Sequence, residues 1–344
     1  MSLKDQADLL PEGIESKDVV ELRKSLMRLQ KQLLENKQRD KGLVEATYQG
    51  AYDAFLASPP FQQINFPIHS TKKGRKEVAL IHATDWQGSK VTTTYNSEVM
   101  KRRVMEFAHK IERLTDIQRA DHPVDEAVIM FGGDMVEGLF NYPAQLWQID
   151  ASLFGQYVTV SKLLVDFVRY NLATFKKVTV VAEWGNHGRI GGKRAEVPKN
   201  DNVDRMCYEF ARTILKDEKR LTWEDCPEDI QQVEIGNYRA LLMHGDELGR
   251  AGFASPAAWQ AGGNRWKAGA YPWKFQDIYL GHYHRTASEP MSDQKGDIYW
   301  TGSIESDNRY ARDSMAVSGT PVQRLHFIDP IKGRVTSEYK VWLD

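Results

Sequence analysis

The chain has no apolar run long enough to cross a bilayer, and its first residues, Met1-Ser2-Leu3-Lys4-Asp5-Gln6, lack the apolar stretch of a secretory leader. Neither secretion nor a membrane anchor is expected. Only two cysteines occur, Cys207 and Cys226, in unrelated contexts and without metal-ligand spacing. That excludes a disulfide framework and favours reduced thiols in the cytoplasm. Excess charge is missing as well, since 46 Lys and Arg oppose 47 Asp and Glu, for a formal net charge of -1. No global positive field advertises nucleic-acid binding, so any such contact must rest on local patches. Internal repeats and low-complexity tracts are absent.

What remains is a chain of 344 residues, 41% hydrophobic and 27% charged, long enough for one large α/β domain and an appendage. The appendage comes first. Val19, Leu22, Leu26, Leu29 and Leu33 fall in a/d spacing, which suits either a short coiled coil joining two copies into a homodimer or a helix packed on its own domain. A helical continuation through Lys41–Leu56 ends at Ser58-Pro59-Pro60. The basic run Thr71-Lys72-Lys73-Gly74-Arg75-Lys76 then reads as an exposed lead into the first strand, placing the boundary near Lys73: an N-terminal helical extension over 1–73 and a main domain over 74–344.

In the main domain, strands are predicted at about 77–83, 126–131 and 177–183, and helices at roughly Asn96–Arg119 and Ile149–Tyr170. Alternating β and α elements imply a sheet with helices packed outside it. From residue 232 apolar runs recur around 232–236, 239–243, 277–281, 297–301, 322–328 and 335–342, which fits a second sheet.

Five of the predicted strands end in polar residues suited to a cation. They lead to Asp85-Trp86-Gln87, Gly132-Gly133-Asp134, Gly185-Asn186-His187, His244-Gly245-Asp246 and Gly281-His282-Tyr283-His284. A lone His-x-His is more often surface or hydrogen-bonded core than metal site. Five blocks beyond strand ends are different, because the ends of strands in open α/β sheets are where ligands gather, and residues far apart in sequence then share one rim.

Taken in order, D-W-Q, GGDMVEG, GNHGR, HGD and GHYH resemble the signature of the calcineurin-like metallophosphoesterases, over about residues 77–344. They depart from it at Gln87, where the family usually has His, and at Gly188, where it usually has an acid. The resemblance implies a two-sheet β-sandwich flanked by helices and a site for two divalent metal ions. Asp134 would bridge the ions, with Asp85, Gln87 and His284 completing the first and Asn186, His244 and His282 the second. Mixed carboxylate, amide-oxygen and imidazole donors suit manganese, iron, zinc or nickel better than calcium, and manganese is the metal expected. His187 would act as general acid or electrostatic stabiliser near the leaving-group oxygen, with a purely structural histidine as the other reading.

Arg189, followed by Gly191-Gly192-Lys193-Arg194, forms a basic loop able to hold further phosphates or simply to be solvated, and Gly188 would remove a negative charge beside it. That variation is similar to phage-type, nuclease-like members of the family. Trp86, Trp184 and Tyr283 interleave with the motifs, and Trp266 with its neighbours Arg265 and Lys267 is the best candidate for a substrate rim; base stacking and ordinary packing are both open to these rings. The expected activity is two-metal hydrolysis of phosphodiester bonds in DNA or RNA. The alternatives are a phosphomonoesterase acting on nucleotides or phosphoproteins and a scaffold that keeps the fold without turnover.

Overall fold

The computed structural model describes residues 74–139, 145–190, 201–225, 228–246, 256–293, 295–307 and 319–344, with the helical positions Lys24, Met27, Arg28 and Lys31. The chain divides into two compact units, Met1–Ser58 and Pro59–Asp344. In the first, the leucine heptads lie outside the described residues. The second carries all five polar blocks.

Two mixed sheets form its centre. The first has β1 (Glu77–Ala83), β2 (Val124–Gly132), β3 (Lys177–Glu183) and β4 (Leu221–Trp223) in parallel, with β10 (Val322–Asp329) antiparallel beside β1 and β11 (Arg334–Trp342) at the edge. The second runs β5 (Ile230–Ile235), β6 (Tyr238–Met243), β7 (Asp277–Leu280), β9 (Asp297–Trp300), β8 (Ala287–Pro290), in which β6, β7 and β9 are parallel. The two late runs at 322–328 and 335–342 therefore belong to the first sheet rather than the second. Burial gives the reason: every residue of β10 is buried, as a strand between two others under cover requires, whereas β11 alternates in the manner of a half-exposed edge.

Alternation sorts the inner strands into two faces. Val78, Leu80, Val128, Met130 and Val181 meet Val233, Tyr238, Ala240, Leu242, Tyr279 and Tyr299 between the sheets. The opposite face of the first sheet is covered by α1 (Ser97–Gln118), α2 (Leu153–Thr174) and α3 (Val203–Ile214). Met100, Val104, Phe107, Ala108 and Ile111 form the buried stripe of α1, and Phe107 stacks on Phe167 of α2. Each helix starts at a side-chain cap, from Asn96, Ser152 and Asn202 respectively, worth about 1 kcal/mol apiece. Ser152 sets the start of α2 three residues after Ile149, which instead bridges to Lys90. On the outer face of the second sheet, Trp259 of α4 (Pro256–Arg265) packs edge-on against Trp300 and Tyr283.

Parallel β1, β2 and β3 in one sheet and β6, β7 and β9 in the other bring their carboxyl ends, and the loops beyond them, to a single polar cleft.

Candidate metal centre

Two groups of side chains converge in this cleft. Ligand atoms of Asp134, His244 and His282 lie within 4.8 Å of one another, as do those of Asp85, Asp134 and His284. Asp134 is common to both.

The backbone is bent to achieve this. Asp85, Gln87, Asp134, His282 and His284 all have positive φ, between 49° and 63°. For a residue with a Cβ this conformation costs about 1–2 kcal/mol, and such strain concentrates at functional sites. Cross-loop hydrogen bonds hold it: Asp85 N–H donates to Gly133 O at 3.0 Å, Gln87 N–H to Asp134 O at 2.9 Å and Gly88 N–H to Met135 O at 2.8 Å. Trp86 is the counterweight between Asp85 and Gln87. Its ring is fully buried against Phe131 and Phe167 on the helix side, a burial worth roughly 2–3 kcal/mol, while its neighbours serve the cleft.

Asp85 links the sheets, accepting the N–H of His282 at 3.0 and 3.1 Å and the Thr84 hydroxyl at 2.8 Å. His244 Nδ1 faces the Gly132 carbonyl at 2.7 Å, which fixes Nδ1 as donor and leaves Nε2 for the cluster, 3.1 Å from Asp134 Oδ2 and 3.2 Å from Asn186 Oδ1. His284 Nε2 lies 3.3 Å from Asp85 Oδ1. Gln87 also belongs here: its Nε2 is 3.3 Å from both Asp134 Oδ2 and His284 Nε2. Its Oε1 is buried without a hydrogen-bond partner. The two ends of an amide exchange by rotation about the last torsion, so an acceptor is available at the position the nitrogen fills.

Electrostatics point the same way. Burial pushes His284 down, but Glu305 and Asp85 outweigh it and lift the imidazole to about 10. Burial likewise opposes His187, and Asp134 with Glu137 raises it to about 9. His282, desolvated and beside His244, falls to about 4. The carboxylates that hold protons on His187 and His284 favour positive charge in the cleft, and cations bound there would take the place of those protons. Converging ligand atoms, an orphaned amide oxygen and this field fit divalent-cation binding.

His187 sits beside the cluster. Its N–H donates to Asp134 Oδ1 at 2.7 Å, Nδ1 lies 2.9 Å from Glu137 O and 3.3 Å from Glu137 Oε2, and Nε2 is 3.9 Å from Asp134 Oδ2.

Several expectations change. A Cβ on Gly188 would lie 2.2 Å from Asn202 Oδ1 and 3.0 Å from Asp204 Cγ, so the absent acid is not a missing charge. Asp204 occupies the space, accepting Gly185 N–H at 3.0 Å and Val136 N–H at 3.1 Å, with burial and nearby Asp134 raising its carboxyl to about 6. Arg189 is engaged by Asp246 at 2.6 Å, and residues 191–194 lie outside the described residues. Trp86, Trp184 and Tyr283 are buried and serve packing. Trp266 packs on the outer cluster of the second sheet with Tyr271, and Arg265 is exposed; the structure joins neither to the candidate ligand groups. His82 and His326 are buried, bonded to Thr301 and Tyr279.

Sequence reasoning overlooked Lys90, Glu137 and Glu305, all buried at the base of the cleft. Glu137 stood in the GGDMVEG block; Lys90 and Glu305 carried no signal. Ser303 donates to the Asp85 carbonyl at 2.7 Å.

No family model matches the chain. Among curated proteins it is 24% identical over 251 residues to the SPbeta prophage-derived uncharacterized protein YonJ of Bacillus subtilis (strain 168), a match covering 70% of this chain. The chain spans 59% of that relative's length. Similar solved structures include zinc-complexed Vps29 from Entamoeba histolytica (11% identity, 77% of this chain and 99% of that one, TM-score 0.34). Vacuolar Protein Sorting 29 from Cryptosporidium parvum gives 13% identity, 77% and 99% coverage, and a TM-score of 0.35. A putative 5'-nucleotidase from Staphylococcus aureus gives 12%, 78%, 54% and 0.36.

Proposed function

We propose that this chain is a calcineurin-like metallophosphoesterase that hydrolyses phosphodiester bonds with two divalent cations, manganese by preference, and acts on nucleic acid. The observation that carries this reading is the single carboxylate of Asp134 shared by two ligand clusters. Asp85, Gln87 and His284 with Asp134 would hold one cation; Asn186, His244 and His282 with Asp134 would hold the other. Bound there, they would supply charge to neutralise phosphoryl oxygens and would lower the pKa of a water toward neutral pH.

The chain's own part is positional. Glu137 faces Nδ1 of His187 with both its carbonyl and its carboxylate, so the proton on Nε2 is the one presented toward the cleft. From there His187 protonates the departing alkoxide oxygen. Asp134 accepts the His187 N–H, which fixes the acid relative to the bridging carboxylate. Nucleic acid as substrate is supported by the resemblance to phage-type, nuclease-like members, with which similarity to a prophage-derived protein agrees.

Turnover of bis(p-nitrophenyl) phosphate in preference to p-nitrophenyl phosphate, with single-stranded DNA or RNA cleaved and its binding weakening steeply with salt, is the expected result. Preference for monoesters or mononucleotides removes the diesterase assignment. Absence of both metal and turnover favours a scaffold.

A further inference from the structure

Five charged groups, of which Lys90, Glu137 and Glu305 are buried and the two imidazoles partly exposed, form an unbroken chain beneath the cleft. His187 Nδ1 is 3.3 Å from Glu137 Oε2, Glu137 Oε1 is 3.2 Å from Lys90 Nζ, Lys90 Nζ is 3.8 Å from Glu305 Oε2, and Glu305 Oε1 is 2.5 Å from His284 Nδ1. Each carboxylate offers one oxygen to the lysine and the other to an imidazole. The side chains of Lys90, Glu137 and Glu305 are at most 4% exposed, so water does not screen them.

We propose that Lys90 is a positioning residue that couples His187 to His284, so that the proton donor and a ligand of the first cation are oriented by one shared ammonium group. Buried charges are retained where each has a partner, and removal of one leaves the rest uncompensated. Two carboxylates meeting at one ammonium cannot move independently: withdrawal of either lets Lys90 settle on the other, which shifts the second imidazole. The chain also explains why both histidines keep Nε2 for the cleft, since each Nδ1 faces a glutamate. Gln145 reinforces one end, donating from Nε2 to Glu137 O at 2.6 Å and to Oε1 at 3.3 Å. The loop that carries Lys90 is fixed by the bond from its N–H to Gln87 O at 2.9 Å.

The roles given to His187 and His284 rest on the proposed function; the coupling between them does not, and its test needs no turnover. In the full chain labelled with 15N-histidine, Nδ1 resonances of both residues report the two ends. Glu137→Gln is expected to shift the His284 signal as well as that of His187, and Glu305→Gln the His187 signal as well as that of His284. In Lys90→Met both signals move and the cross-effects vanish, while Lys90→Arg restores them. Substitutions that move only the adjacent imidazole overturn the proposal even if Lys90→Met fails to fold. With metal and turnover present, Lys90→Met should also weaken metal binding roughly 10–100-fold and lower kcat with little change in KM. Parent protein without metal or turnover, but with the cross-effects intact, would contradict the proposed function and leave the coupling standing.

Discussion

His187 and Asp134 are joined through the backbone of one and the side chain of the other: the His187 N–H donates to Oδ1 at 2.7 Å. Oδ2 is thereby the oxygen left facing His244 at 3.1 Å, Gln87 at 3.3 Å and the His187 ring at 3.9 Å. A close approach makes this possible. At Gly185 a Cβ would lie 2.0 Å from Asp134 Oδ1, so any larger residue would displace the carboxylate.

Because His187 lies beside the ligand clusters without belonging to either, His187→Ala is expected to leave metal content near normal while turnover falls about 10²–10⁴-fold. The deficit should shrink for esters of strongly acidic phenols, whose leaving groups need no proton. Metal analysis with a leaving-group series checks both. Loss of metal in parallel with activity would make the residue a ligand.

Gln87 predicts an asymmetric pair of sites. An amide oxygen binds borderline metals less tightly than a neutral imidazole, so the first cation should be the weaker one and should favour harder ions. Gln87→His is expected to fill that site at lower metal concentration and to shift preference toward zinc, and Gln87→Ala to weaken it further. Titration of metal against activity that gave equal affinities in all three proteins would remove Gln87 from the ligand set.

Away from the cleft, Asp277 makes stability depend on pH. Burial, set against hydrogen bonds from Tyr238 and the Asp297 N–H, raises its carboxyl to about 7, compared with about 3.9 in an unfolded chain. Between those values the native state binds the extra proton, so this group's contribution to stability falls as pH rises from about 4 to 7, by on the order of 1.4 kcal/mol per pH unit. Asp277→Asn is tolerable because the Tyr238 hydroxyl, 3.0 Å from that of Tyr279, can turn its proton there and accept from the new amide. Denaturant unfolding from pH 4.5 to 8 should show the parent losing stability relative to the variant as pH rises; parallel curves would refute the assignment.

Legibility in the sequence followed from how each feature is encoded. β1 and β3 were readable because their middles, Val78-Ala79-Leu80-Ile81 and Val178-Thr179-Val180-Val181, are largely apolar runs, as inner strands covered on both faces require. The ligand blocks were readable because each comes directly after such a run. By contrast, the place of β10 and β11 in the first sheet depends on pairing with β1 across more than 200 residues, which periodicity does not report. Asp204 was invisible for a similar reason: its carboxylate fills the space beside Gly188 from the start of α3, sixteen residues away. Lys90 and Glu305 meet only in the folded chain.

Everything proposed for the cleft depends on one carboxylate holding two cations. The decisive measurement is the metal stoichiometry of the parent and of Asp134→Asn, by elemental analysis after manganese loading and gel filtration. Two ions per chain are expected for the parent. In the variant, occupancy at both sites should collapse and turnover fall roughly 10³-fold or more, because a neutral amide does not offset two neighbouring dications. A variant that retained both ions and full activity would show that Asp134 does not bridge them.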